Sequence, residues 1–429
     1  MYKSLKHHNY HLILIIILYI LNVYGQYVPE DRYGHSAVFV SERRIYFIGG
    51  YKVKRYAPNP MSDVFYLDRY EFTDLTSQVN LPLKLFHVSE LGGVNKDLIF
   101  TIGGVNLNDS ETDYIYSLNT KTNELSVPTV QGKVPPSRKG IASVIYKGKI
   151  YLFGGQTGAG VNVLYFNNFD IFDTINLNWQ VGSLINSPVT RTFYSATLVD
   201  GVIYYIGGKT QGNVFPPLTE IYQYDIVGNT WSLKKATAAD PKFMPGSRSS
   251  HTSILMHGKI VIYGGVFSPN DMQYNLPAKE TIAMLDVNTL VWTIPEFDAR
   301  ENNPIPKLFL HTATAIGNSM FIAFGNFTDK PDDFDQANKD IYMFKFDYSQ
   351  IYSYSLSSLI NSTHEAQPQI PTSTNTNINP QQPSSLSKVV IVVQLGDVPN
   401  DPNSVEINDD KSHSEYQQQD LPTSLTEFP

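Results

Sequence analysis

Five basic residues recur along the 429-residue chain, each three positions ahead of a His, Tyr or Ile: Arg32 before His35, Lys84 before His87, Arg138 before Ile141, Arg191 before Tyr194 and Arg248 before His251. A sixth site has Leu308 before His311, with Lys307 beside it. Brought to one place, Arg32, Lys84, Arg138, Arg191, Arg248 and Lys307 would make a cationic ring. Such a ring could hold an acidic glycan or an Asp/Glu-rich peptide through charge-assisted hydrogen bonds. The same side chains could equally bond loop carbonyls or neighbouring acids and simply close the fold. Either role is binding chemistry; none of these residues is read as catalytic.

Other chemistry-bearing residues point to less. His35, His87, His251 and His311 occupy one repeated position, which argues for packing, and four histidines spread around a ring lie too far apart to share one metal ion. Asp329, Asp332, Asp333, Asp335 and Asp340 could gather Ca²⁺ by oxygen count, but no EF-hand spacing accompanies them, so they read as a solvated loop. With no cysteine in the chain, thiolate metal sites, disulfides and a cysteine nucleophile are all excluded. No Ser-His-Asp order, phosphate loop or zinc motif is present, so no cofactor or metal is expected. Asn108, Asn326 and Asn361 head N-x-Ser/Thr sequons and are placed in loops or the tail, as sites of N-glycosylation would be.

The elements that must position these residues follow from a repeat. Short apolar runs ending in paired glycines recur: Arg44–Gly50, Leu98–Gly104, Lys149–Gly155, Val202–Gly208 and Lys259–Gly265, with a sixth, Met320–Asn326, worn at its last residue. The first glycines fall at 49, 103, 154, 207, 264 and 325. A period near fifty residues marks an array of supersecondary units. Within residues 138–184 the pattern predicts four strands: Ile141–Tyr146, Ile150–Phe153, Phe169–Asp173 and a last one around Trp179. An acid closing the third strand precedes a tryptophan by six residues three times: Asp173 to Trp179, Asp225 to Trp231, Asp286 to Trp292. Four short antiparallel strands cannot bury their faces alone, so the units must pack on one another radially.

Basic residue, His or Tyr, apolar strand, Gly-Gly, acid and Trp in that order resemble the kelch repeat, over roughly residues 30–357. The resemblance implies an all-β fold, a six-bladed kelch β-propeller of four-stranded antiparallel blades spanning 26–357. It also implies a non-catalytic role in which partners bind at the mouth of the central channel and its loops. Galactose oxidase, a carbohydrate oxidoreductase with a similar propeller, needs a copper site with a cysteine-linked tyrosine, which this chain cannot supply. An intracellular scaffold for cytoskeleton or polarity remains an alternative.

Composition sets the location expected. Lys3 and Lys6 precede the apolar run Leu12–Leu21, so residues 1–25 read as a secretory signal cleaved before Gln26, or failing that as an uncleaved membrane anchor. The net charge of −8 is concentrated in 358–429, where nine acids face two lysines. That segment, rich in Ser, Thr, Asn, Pro and Gln before its acidic end, reads as a disordered tail. The remaining body is nearly neutral, which gives no electrostatic case for nucleic acid. The expected protein is therefore secreted and binds an extracellular protein or an acidic glycan.

Overall fold

The computed structural model describes residues 27–40, 43–54, 57–105, 114–158, 162–269, 275–296, 305–329, 337–346 and 351–356. These residues belong to the first of two compact units, Met1–Asn375; the second is Thr376–Pro429. Residues 1–25, Asn108, Asp332, Asp333, Asp335, Asn361 and the acidic tail lie outside the described residues.

Six sheets follow one another along the chain, each with four antiparallel strands in chain order, and two-stranded ribbons stand between strands in several repeats. The first blade contains Ser36–Val40, Arg44–Ile48, Val64–Asp68 and Glu71–Asp74. The second has Leu85–Gly92, Leu98–Val105, Ile115–Asn119 and Leu125–Ser126. The third has Ser143–Tyr146, Lys149–Phe153, Phe169–Asp173 and Asn178–Val181, so the expected strands hold, with the first starting two residues late. The fourth blade runs Ser195–Val199, Val202–Ile206, Glu220–Asp225 and Thr230–Lys235. In the fifth, Thr252–Met256, Lys259–Tyr263, Ile282–Asp286 and Val291–Thr293 gain a fifth strand, Thr237–Ala238, lent by the preceding connection. The sixth closes with Thr312–Ile316, Ser319–Ala323, Ile341–Phe346 and Ile351–Ser355. Each blade thus takes its four antiparallel strands from one repeat, and among the described residues no strand is shared between the first and last.

The core is six cores. A separate apolar cluster fills each seam between neighbouring blades, including the seam that joins blade 6 to blade 1 through Ile45, Phe47, Phe65, Leu67, Phe324 and Ile341. Second strands such as Lys149–Phe153 are apolar on both faces because each face meets a different seam: Tyr151 and Phe153 belong to one cluster, Ile150 and Leu152 to the next. The tryptophans wedge against the blade before them, and Trp231 and Trp292 donate their indole N–H to the Ser183 and Leu218 carbonyls at 2.7 and 2.9 Å. The acids six residues earlier organise the turn: Asp173, Asp225 and Asp286 each accept two backbone N–H bonds across it.

The paired glycines turn the chain out of the crowded second strand. Both have φ > 0 in every copy, near 60° then 80–100°. A Cβ on Gly154 would lie 2.5 Å from the Arg191 carbonyl oxygen, and one on Gly155 would lie 2.5 Å from Ile141 Cγ2. The sixth copy corrects the sequence alignment. Phe324 (φ 57°) and Gly325 (φ 90°) take the two positions, so the first glycine is the one replaced, by a phenylalanine, and Asn326 follows the pair. The expected loop position of Asn326 is likewise replaced by a two-residue strand, in which it pairs with Phe309.

Candidate functional site at the channel mouth

The second glycine of each pair donates its N–H to the carbonyl three residues before the next His/Tyr slot. The bonds run Gly50 to Lys84 (3.5 Å), Gly104 to Arg138 (2.9 Å), Gly155 to Arg191 (2.8 Å), Gly208 to Arg248 (2.9 Å), Gly265 to Leu308 (2.8 Å) and Gly325 to Arg32 (2.8 Å). This is a closed latch of six bonds, one per seam. The basic side chains fold back beneath it. Arg32, Lys84, Arg191 and Arg248 donate to the carbonyl of the first glycine of their own blade, Gly49, Gly103, Gly207 and Gly264, at 3.1, 3.3, 2.8 and 3.0 Å. Arg32 also pairs with Asp63, Arg138 with Asp170 and Arg248 with Glu280.

All five are at most 2% exposed. Of the two roles open to Arg32, Lys84, Arg138, Arg191 and Arg248, presenting charge to a ligand is therefore corrected, and they take the other. All but Arg138 bond a glycine carbonyl of their own blade, and Arg32, Arg138 and Arg248 pair with its acids. Arg138 Nε and Nη1, Arg191 Nε and Arg248 Nη2 stay buried without a hydrogen-bond partner. Lys307 is not a sixth member. It is exposed and offers its carbonyl to Thr328, while buried Leu308 fills the slot. The change is local to the sixth repeat, where Asn338 Nδ2 in place of an arginine donates to the equivalent carbonyl, that of Phe324, at 3.0 Å.

The histidines also join blades. His311 Nε2 bonds Thr252 Oγ1 at 2.8 Å, His251 Nε2 bonds Ser195 Oγ at 2.9 Å, and His35 Nε2 bonds Thr312 Oγ1 at 3.0 Å across the closing seam. Burial, then nearby cations, hold His35 and His251 well below the ordinary imidazole range; burial pushes His87 to about 4 and His311 to about 3. They are structural, neutral and far from metal chemistry; among the described residues no three His, Asp or Glu side chains are placed to hold a metal ion.

What lines the mouth lies one residue further along each motif. The residue after the basic position pairs with the residue after the second glycine in every blade: Tyr33 with Tyr51, Leu85 with Val105, Lys139 with Gln156, Thr192 with Lys209, Ser249 with Val266 and Phe309 with Asn326. The intervening residues Gly34, Phe86, Gly140, Phe193, Ser250 and Leu310 all have φ > 0 and form a collar. Its backbone bonds pass from Phe86 to Gly34, Phe193 to Gly140, Ser250 to Phe193, Leu310 to Ser250 and Gly34 to Leu310, at 2.7–3.0 Å.

Beside this collar opens a cavity of about 650 Å³ bounded by Tyr33, Tyr51, Phe193, Lys209, Phe215 and Phe309. Lys209 stands over the Phe193 ring (5.5 Å) and Lys139 over Phe86 (5.9 Å). Burial lowers both ammonium pKa values, and the charge of Lys139 lowers that of Lys209 further. Asn326 Oδ1 on the cavity wall is buried without a hydrogen-bond partner, and so is Gln156 Oε1, on the bridge partner of Lys139. Sequence reasoning missed these residues because it sought recurrence; the signal was the opposite, variability at fixed distance from the recurring glycines.

Residues 93–326 match the KLHDC2/KLHL20/DRC7 Kelch-repeats domain, which is more than half of the chain. The chain belongs to the Kelch-repeat family.

Its similarity to curated kelch proteins is moderate. It is 26% identical over 244 residues to human host cell factor 1, covering 54% of this chain and 11% of that protein. It is 29% identical over 253 residues to the host cell factor homolog hcf-1 of Caenorhabditis elegans, covering 54% of this chain and 30% of that protein. Kelch domain-containing protein 3 of rat is 26% identical over 226 residues, covering 50% of this chain and 54% of that protein. The Kelch propeller thus spans only part of the relatives it matches. Among solved structures, that of YjhT superposes with a TM-score of 0.55 at 12% identity, over 76% of this chain and 98% of that one, a likeness of fold. No helix among the described residues is long and apolar enough to cross a membrane.

Proposed function

We propose that this Kelch propeller is a binding module, without catalysis, that receives a protein partner at the channel mouth. The observation that carries the reading is the cavity's inventory: aromatic walls, one lysine, Lys209, without an ion pair among the described residues, and one buried acceptor, Asn326 Oδ1, with no donor. Buried polar groups left unsatisfied in a folded protein call for an explanation, and backbone N–H groups of a bound segment would supply one. Apolar side chains on the rim loops extend the same surface, with Leu164 63% and Val214 58% exposed and Phe215 against Phe267 at 5.2 Å. An acidic group on the partner, whether from an Asp/Glu-rich peptide or an acidic glycan, meets Lys139 and Lys209 in place of the buried arginines.

The location proposed is extracellular, supported by the signal-like composition of residues 1–25 and the sequons at Asn108 and Asn361. Asn326 supports it less, because its side chain lines the cavity and its carbonyl oxygen is buried.

Partner capture with the full chain and with Phe215→Asp tests the mouth. Phe215 lies on the rim, so the variant should melt normally and lose its partners. Undiminished capture by a normally folded variant would remove the mouth from consideration. Mature protein that begins at Gln26, found in the medium of expressing cells, is the expected result for location.

A further inference from the structure

The mouth is chemically lopsided. Of the twelve side chains at the paired positions, cations stand at two, Lys139 and Lys209, and acids at none. The two belong to adjacent blades, 3 and 4, and each is carried over a phenylalanine of the collar. Those two rings, Phe86 and Phe193, meet edge to face at 5.8 Å. Among the described residues neither lysine has an acidic partner, the rings beneath them touch, and the charge of Lys139 reaches Lys209. Like charges held together in a half-buried place are unfavourable until an anion joins them.

The space beside Lys209 is of a different kind. Tyr33, Tyr51, Phe193, Phe215 and Phe309 surround it, with Ser249, Ser250 and Asn326 as small polar edges. Tyr33 and Tyr51 pack at 4.1 Å between centroids, and Tyr51 turns its edge to Phe86 at 5.4 Å. Rings so arranged accept a further flat ring by edge and offset contacts. A guest that satisfies both halves must carry an apolar planar body and, at its end, enough negative oxygen to serve two ammonium groups. A single carboxylate offers two oxygens and one charge. A phosphoryl or sulfo ester offers three terminal oxygens, and the phosphoryl group up to two charges.

We propose that the mouth binds an aromatic ring bearing an oxyanion ester, a phosphorylated or sulfated tyrosine of a protein partner, with the ring in the aromatic cavity and the ester on Lys139 and Lys209. This rests on the mouth being the binding surface. The shared chemistry is the aryl ester; kinase and sulfotransferase products are its two sources.

The test titrates the full chain with phenyl phosphate, phenyl sulfate, inorganic phosphate, benzoate and phenol, by calorimetry. The two esters should bind, and inorganic phosphate, benzoate and phenol should each bind at least roughly tenfold more weakly, since each lacks the ring, the third oxygen or the charge. Which ester binds more tightly identifies the source. Lys139→Gln and Lys209→Gln should each weaken ester binding about tenfold without lowering the melting temperature. Benzoate equal to the esters, inorganic phosphate equal to phenyl phosphate, or lysine variants without effect would overturn the proposal, as would failure of both esters to bind. If partner capture still depends on Phe215 in that last case, only the ester inference falls and the mouth reading stands.

Discussion

Phe324 is the residue at which this propeller departs most from its own pattern. It holds φ 57°, a conformation that costs a non-glycine residue about 1–2 kcal/mol. Its ring repays that by filling the closing seam: it lies edge-on to Phe47 and Phe65 at 5.3 and 6.0 Å and to His35 at 5.3 Å, with the Arg32 guanidinium 5.5 Å above it. Phe324→Gly should restore the family's turn and still destabilise the fold, by about 2–3 kcal/mol, because removal of a buried phenylalanine side chain costs about 3–5 kcal/mol. Urea unfolding measures it; a variant as stable as the parent would show that the ring contributes nothing to closure. At this scale the sequence left one point open and misled on another, for the same reason. It showed that Arg32, Arg138, Arg191 and Arg248 recur, and it showed a worn glycine pair. It could not show that the guanidinium groups turn inward, or which glycine was lost, because both depend on φ and on side-chain direction.

Strands and turns were the most legible level. Short apolar runs, Gly-Gly exits and the acid-to-tryptophan step are local signals, and the strands they located appear within about two residues of their expected ends in the third blade. The turn acids do what short polar side chains do best, accepting consecutive backbone N–H bonds; Asn119 performs the same task for Lys121 and Thr122 in the second blade, where no tryptophan follows. The wedge itself is the costly part. Trp292→Ala should destabilise the protein by about 3–5 kcal/mol, and Trp292→Phe by about 1–3 kcal/mol, since the Leu218 carbonyl would lose its buried donor. Thermal or denaturant unfolding distinguishes the two; a Trp292→Phe variant as stable as the parent would mean the indole bond adds nothing.

For the molecule as a whole, acid should open the ring. His35, His87, His251 and His311 are buried neutral, with folded pKa values below the ordinary 6.5. The unfolded chain therefore binds more protons below pH 6.5. Stability is complete above that pH and falls as pH drops toward 4, by roughly 1.4 kcal/mol per histidine per pH unit. Glu90 works in the opposite sense. Burial raises its carboxyl to about 7, against the lowering bond from Ser143 Oγ at 2.7 Å, so its contribution is present below about 4.5 and lost as pH rises through 7. Unfolding followed from pH 8 to 4 should show a net loss toward acid, and Glu90→Gln should steepen it by removing an opposing group. A flat profile would contradict the buried neutral histidines. The six-unit repeat, the strand order within a unit and the need for radial packing were determined by the sequence alone, because hydrophobic periodicity and glycine placement act over a few residues. Ring closure by whole blades, the inward turn of the basic side chains and the gathering of Lys139, Lys209 and five aromatic rings at one mouth were decided only by tertiary structure. Those features join residues as far apart as Tyr33 and Phe309, and nothing local in the chain records which distant backbones will meet.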